Sequence, residues 1–415
     1  MFKKMGMSNG DVAMYTGLLY LPWVIKPLWS PFVDIIRTKR WWVVAMQVLM
    51  SAAFAAAAFS LPSPSAEVIA SGHAPVSIFA VTLVIFWISA FASATHDIAA
   101  DGYYMIALDS NRQSLFVGIR STFYRLASIF GQGVLVVLAG VLESRTGDIP
   151  RSWFITMLIC AVLFAAVTVY HSFVLPRPAG DVSGSQDSGS GQASARKASD
   201  IIREFAMTFV TFFRKRHVWL AIIFMLLYRL PEAFLIKMMN PFLLDPVSAG
   251  GLGLSTENVG IAYGTVGVAA LTAGGIAGGI AASRTGLKKS LWPMALSMTL
   301  PCLTFVYLAM AQPHDFLIVN LCVCIEQSGY GFGFTAYMLY MIYFSEGEFK
   351  TAHYSICTAF MALSMMIPGM VAGYLQEWLG YEGFFWMVMA CCIATIAVAV
   401  PVHSLVDASF GRKQK

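Results

Sequence analysis

Charge is what this 415-residue chain has least of: Asp, Glu, Lys and Arg together make up 12% of it, against about a quarter in soluble globular chains. A water-exposed globule needs those charges on its surface, so an ordinary soluble domain is excluded. Paired cysteine spacing is also missing. Cys160, Cys302, Cys322, Cys324, Cys357, Cys391 and Cys392 all fall in apolar segments and read as small packing residues, which argues against a zinc site or a disulfide framework. No His/Cys/acid cluster and no nucleophile–base constellation is visible, so neither an enzyme nor a metal or other cofactor is expected. The stretch before Asp11 is short and polar, and the run after it is too long and aromatic for a cleavable leader.

What is there is apolar: 58% of the residues are hydrophobic, and they come in long runs. Runs of about 18 or more residues nearly free of charge suit helices that cross the bilayer, because each satisfies its own backbone in hydrocarbon. Reading runs between charged or Pro/Gly punctuation predicts eleven helices, near residues 11–33, 41–61, 76–108, 114–142, 152–175, 217–244, 257–282, 290–311, 315–344, 351–379 and 383–405. Pro176 to Asp200 is rich in Gly, Ser, Asp and Gln and reads as a flexible linker. The expected organisation is an N-terminal half bundle (1–175), a cytoplasmic linker (176–216) and a C-terminal half bundle (217–415).

Placing the linker in the cytoplasm puts 18 Lys and Arg on that side and four, Lys3, Lys4, Arg145 and Arg151, outside. The positive-inside bias therefore sets the orientation, with a cytoplasmic C-terminus, and accounts for the net charge of +5 without a nucleic-acid partner. The same orientation strands Lys3 and Lys4 on the unfavoured face. The halves also repeat: Gly6-Met7-Ser8 with Val12 and Gly17 matches Gly253-Leu254-Ser255 with Val259 and Gly264 at one constant offset, a pattern typical of transporters. A full apolar helix precedes the second copy, and five residues precede the first, so a further helix encoded upstream of Met1 is expected.

Asp34-Ile-Ile-Arg37-Thr-Lys39-Arg40 resembles the basic loop between the second and third helices of major facilitator transporters, and Ser283-Arg284-Thr-Gly286-Leu-Lys288-Lys289 looks like its copy. Lys26-Pro-Leu-Trp-Ser-Pro-Phe-Val-Asp34, Ala94-Thr-His-Asp97-Ile-Ala-Ala-Asp101-Gly-Tyr103, Leu227-Tyr-Arg229 through Pro241-Phe-Leu-Leu244, Gly274-Gly-Ile-Ala-Gly-Gly279 and Phe349-Lys-Thr-Ala-His353-Tyr354 resemble the AmpG-type muropeptide permeases of that superfamily. His96 stands where relatives commonly have Gln, and Gly102 where they commonly have Ala. The resemblance implies an all-α membrane protein of the major facilitator fold, with two pseudo-symmetric helical halves and 11 of 12 transmembrane helices in hand (5+6). It further implies proton-driven import of anhydro-muropeptides, anionic sugar-peptides from cell-wall turnover, through the bacterial inner membrane. A monomer in the lipid bilayer is expected.

Charge held inside hydrocarbon costs at least about 2.5 kcal/mol, so each buried ion is a functional candidate. Asp97 and Asp101 share a helix face beside His96, and Glu232 and Glu326 are further acids, giving four proton-coupling candidates. Structural pairing of Asp97 and Asp101 with Arg120 or Arg125 is the competing reading. Arg120, Tyr124, Arg125 and Gln132 form one polar stripe, and Arg229, Lys237 and Asn240 another, with Gln327 and Tyr330 beside Glu326. Arginine forks and lysines suit the carboxylates of a sugar-peptide, which makes these the substrate-binding candidates. Asp34, Arg37, Lys39 and Arg40 are the candidate gating loop. Transport of another sugar, peptide or drug, including efflux, stays open, as does a non-transporting membrane sensor.

Overall fold

The computed structural model describes residues 1–107, 123–124, 126–178, 181, 198–347, 350–408 and 410. Among these the chain is helical throughout, with no strand. It begins at α1 (Asn9–Leu18), N-capped by the Ser8 hydroxyl, and continues in α2 (Leu21–Ile36). The single helix expected near 11–33 is thus broken at Leu19 and Tyr20, because Pro22 has no N–H to continue the ladder and Tyr20 N closes a tight turn onto Gly17 O. Next come α3 (Lys39–Phe59), α4 (Ala80–Ala107), α5 (Leu126–Thr146) and α6 (Ile149–Val174).

The expected linker carries a helix at its C-terminal end. Its last third forms α7 (Ala198–Phe213), whose Phe212 is buried against Phe344, His353 and Phe360, while Lys215 Nζ beyond it donates to Phe344 O at 2.6 Å. Composition located the polar tract and missed an amphipathic helix at its edge, whose apolar face docks on the second half.

The second half follows as α8 (Val218–Leu244), α9 (Thr256–Thr285), α10 (Leu287–Ala311) and α11 (Phe316–Ser345). The remaining run, Lys350–Leu405, turns at Gly380 (φ 69°, ψ 173°) and makes two crossings, α12 before the turn and α13 after it. Counting α1 with α2, eleven crossings lie among the described residues, five before the linker and six after it. Two ends of the bundle follow: the linker end, carrying Arg37 to Arg40 and α7, and the opposite end, carrying Lys3, Asp245 and Gly380.

The halves meet where small residues let backbones approach, the usual basis of helix association in lipid. Gly10 and Gly17 of α1 lie against Tyr374, Met370 and Gly369 of α12, and Gly133 and Gly140 of α5 lie against Gly264 and Glu257 of α9. At the α5–α9 crossing both helices widen into π-helical turns, Phe130–Val134 and Gly260–Gly267. Gly264 packs on the Gln132 carbonyl so closely that no side chain fits between them.

Candidate functional site

The second half's most heavily buried span is α8, and it is interrupted where the sequence places charge. Its helix stops at Tyr228, Arg229 takes non-helical angles (φ −103°, ψ 11°), and Pro231 opens the next helical piece. Pro241 sits inside that piece without ending it. The break aims Arg229 into an aromatic cage. Its guanidinium carbon lies 4.6 Å from the Phe334 ring centroid, 5.4 Å from Tyr330 and 5.7 Å from Tyr337, and its Nη2 donates to the Tyr330 hydroxyl. Rings facing a cation in a desolvated site stabilise it by about 2 kcal/mol. The Nε of Arg229 reaches no acceptor among the described residues.

One turn on, Glu232 is fully buried, and neither of its oxygens receives a hydrogen from a described residue. Its polar neighbour across the helix interface is Glu326 of α11, itself buried and accepting from Gln327 Nε2 at 2.7 Å. No ion pair within 4 Å joins Arg229 to Glu232; the ion pairs among the described residues are Lys3–Asp245, Lys4–Glu143 and Lys26–Asp97. Two carboxyl groups in contact away from water repel unless a proton lies between them, so Glu232 and Glu326 form a chemically competent one-proton site.

Tyr20, at the α1–α2 break, and Tyr263, in the π-helical turn of α9, lie within electrostatic reach of this cluster, and Tyr124 of Tyr20. Lys237 lies two turns along α8, donating to Thr16 Oγ1 at 2.9 Å and facing the Tyr20 ring at 5.6 Å, so it bridges the two halves. Asn240, one turn further, is half-buried, and Gln132 is exposed on the π-helical turn of α5. Of the expected residues, the fold therefore brings together Arg229, Glu232, Glu326, Gln327 and Tyr330. Thr16, Tyr20, Tyr263, Phe334 and Tyr337 join them and were not singled out from sequence, because aromatics in apolar runs read as ordinary core.

The other expected acids sit elsewhere. Asp97 Oδ2 accepts from Lys26 Nζ at 2.8 Å, inside the first half, with Asp101 one turn along the same helix face. Lys26 supplies this partner from within α2. Arg120, Arg125 and the side chain of Asp34 lie outside the described residues. At the basic turn, Arg40 donates to the carbonyls of Ser172 and Leu175 at the end of α6, the Asp181 carboxylate accepts from the backbone N–H groups of Lys39 and Arg40, and Arg37 stacks 5.9 Å from the Trp41 ring. These contacts tie the turn to its own half and to the start of the linker.

A second polar cluster, at the opposite end, was missed outright. Asp245 accepts from Lys3 at 2.9 Å, Asn9 at 3.1 Å and Tyr381 at 2.6 Å, and Asn9 also donates to Gln376 at 2.7 Å. Glu143 accepts from Lys4 at 3.0 Å and from Thr256 at 3.0 Å. The signal was present in the stranded Lys3 and Lys4, since cations on the unfavoured face need partners. Apart from the Lys237 bridge, the hydrogen bonds and ion pairs that join the halves among the described residues lie at this end.

Two matching half bundles, touching along glycine-lined helix pairs and enclosing buried charge at a broken helix, form an arrangement with relatives. The sequence profile of the Major Facilitator Superfamily matches residues 1–348. The chain belongs to that superfamily. It is similar to the anhydromuropeptide permease of Escherichia coli K12, with 24% identity over 384 residues covering 91% of this chain and 68% of the relative. It is also similar to the putative transporter AmpG 4 of Rickettsia felis, with 24% identity over 406 residues covering 95% and 87%. Among solved structures, a D-xylose–proton symporter matches with a TM-score of 0.67 at 14% identity, covering 98% of this chain and 90% of that one. A bacterial homologue of the lysosomal transporter Spinster matches with a TM-score of 0.65 at 14% identity, covering 97% and 90%. Family and fold are those of a multi-pass membrane transporter and not of an enzyme.

Proposed function

We propose that this major facilitator protein imports anhydro-muropeptides through the bacterial cytoplasmic membrane in symport with protons, with the linker end in the cytoplasm. The observation that carries the reading is the buried Glu232–Glu326 pair beside the caged Arg229, at the break in α8. A broken helix at the junction of two repeats is where secondary transporters bind cargo. Arg229, with an unoccupied Nε donor, and Lys237, held by a neutral hydroxyl, supply cationic donors for the lactyl and peptide carboxylates of such a cargo. Tyr20, Tyr263 and Tyr330 supply faces and hydroxyls for sugar. Protonation of the acid pair removes its negative charge from the site, which favours anion binding, and proton release into the cytoplasm favours discharge. Asp97, neutralised by Lys26, is the weaker carrier. The similarity to named muropeptide permeases supports the choice of cargo.

The test is uptake of labelled anhydro-muropeptide into proteoliposomes with an imposed inward proton gradient. Gradient-dependent accumulation is expected, with Glu326→Gln reducing it at least tenfold while exchange of preloaded cargo persists. Accumulation indifferent to the gradient removes the coupling claim, and competition by unrelated sugars or peptides at equal concentration removes the cargo claim.

A further inference from the structure

The two halves differ at one three-helix junction. In the second half, α9, α10 and α11 close on one another through glycine: Gly331 of α11 lies on Leu271 and Gly275 of α9, and Gly329 and Gly333 of α11 lie on Ser297 and Met294 of α10. In the register that aligns Gly6 with Gly253, the positions of Gly274, Gly275, Gly278 and Gly279 are held in α2 by Pro27, Leu28, Pro31 and Phe32. The corresponding junction of α2, α3 and α4 is accordingly held apart. It contains a cleft of about 700 Å³ lined almost wholly by apolar atoms, with Trp29, Trp42, Leu49, Trp87 and Phe91 among its walls. That volume lies within the roughly 300–1,000 Å³ of ligand pockets. The walls are braced by ring contacts, Trp29 to Phe91 at 5.5 Å and Trp87 to Phe91 at 5.8 Å.

The cleft opens sideways onto the lipid-facing surface, past the exposed Phe32, Leu49, Val84 and Ile88. Its α2 and α3 walls, Trp29 to Val33 and Trp42 to Leu49, lie toward the linker end, and its α4 wall, Val84 to Thr95, runs from mid-helix toward the opposite end, the extent of an acyl chain entering from the linker side. Arg37, one turn beyond Val33 of its lining, stacks on Trp41, and Trp41 packs edge-on at 5.0 Å against Trp42 of the cleft wall. No described carboxylate lies within ion-pair distance of Arg37, whereas the neighbouring Arg40 is committed to the α6 carbonyls. An apolar slot open to the bilayer, with an exposed cation one aromatic ring beyond its linker-end wall, has the charge and shape complementary to one ligand class.

We propose that this cleft is a binding site for an anionic phospholipid of the leaflet at the linker end, with one acyl chain between Trp29, Trp42 and Phe91 and the phosphate against Arg37. The proposal is independent of the cargo. Because α2 carries Lys26 and leads from the cleft to the broken turn at Tyr20, a lipid here would also brace the first half's contribution to the central site.

The test is native mass spectrometry of the purified full chain released from detergent after equilibration with equal amounts of phosphatidylglycerol and phosphatidylcholine of the same acyl chains. Retention of one phosphatidylglycerol is expected in preference to phosphatidylcholine. Arg37→Ala should weaken that preference about fivefold, the effect of one cation near an anionic surface. Leu49→Trp, which fills the cleft from its lipid-facing rim, should abolish retention, and Met46→Trp is the second filling variant if the first is not monodisperse. Equal retention of the two lipids by the unaltered protein, or retention that survives a monodisperse filling variant, overturns the proposal.

Discussion

Arg229 shows how little a side chain's meaning depends on its charge alone. Its guanidinium carbon lies 4.6 Å from the Phe334 ring centroid, 5.4 Å from Tyr330 and 5.7 Å from Tyr337, contacts to which a flat delocalised cation is better suited than a compact, strongly hydrated ammonium. Arg229→Lys keeps the charge and is expected to lose about 2 kcal/mol of stacking, seen as a cargo affinity lowered by more than tenfold with expression retained. Wild-type affinity in that variant would show that the cage does not position the cation. The same residue was legible from sequence as an ion where lipid disfavours ions. Its partners were not, since the helix break at Arg229 turns the side chain toward the aromatic face of α11, and neither the break nor that face is written in the local sequence.

Among the elements, the interface helices depend on what they lack. Gly264 sits against the Gln132 carbonyl where the two π-helical turns cross, so a methyl group there must push α9 away from α5. Overpacking of this kind costs about 1–3 kcal/mol. Gly264→Ala is expected to lower the thermal unfolding midpoint in detergent and to slow transport, whereas Gly279→Ala, with no atom near its added carbon, should leave both unchanged. Equal behaviour of the two variants would remove the close-approach argument. Both glycines stand in the sequence four residues from another glycine, Gly260 and Gly275; which of them meets backbone across the interface depends on helix rotation, which periodicity does not report.

For the whole molecule, the asymmetry of the bundle's ends defines the state described. At the end opposite the linker, Asp245 and Glu143 gather donors from both halves, and each such charged hydrogen bond contributes about 1.5–3 kcal/mol. Alternating access requires these bonds to break while contacts form at the linker end. Removing both carboxylates, as Asp245→Asn with Glu143→Gln, should shift the population toward the state open at this end. The check is labelling by an impermeant thiol reagent of a cysteine placed at Gln376, which should rise several-fold over the same cysteine in the unaltered background. Unchanged labelling would show that glycine packing alone holds this end shut.

Composition, run length and the repeat determined the membrane class, the crossings on either side of the linker and the two-half plan, because hydrocarbon imposes the same requirement on every spanning segment. Buried Arg229, Glu232 and Glu326 were visible for the same reason: an ion in an apolar run stands out in one dimension. The tertiary structure decided which of those ions face each other, that Lys26 neutralises Asp97, that Lys3 and Lys4 close onto Asp245 and Glu143, and that α7 docks on the second half. Those pairings depend on the rotation and kinking of helices, set by glycine contacts and proline breaks between segments far apart in the chain, and a linear sequence carries no direct record of which faces meet.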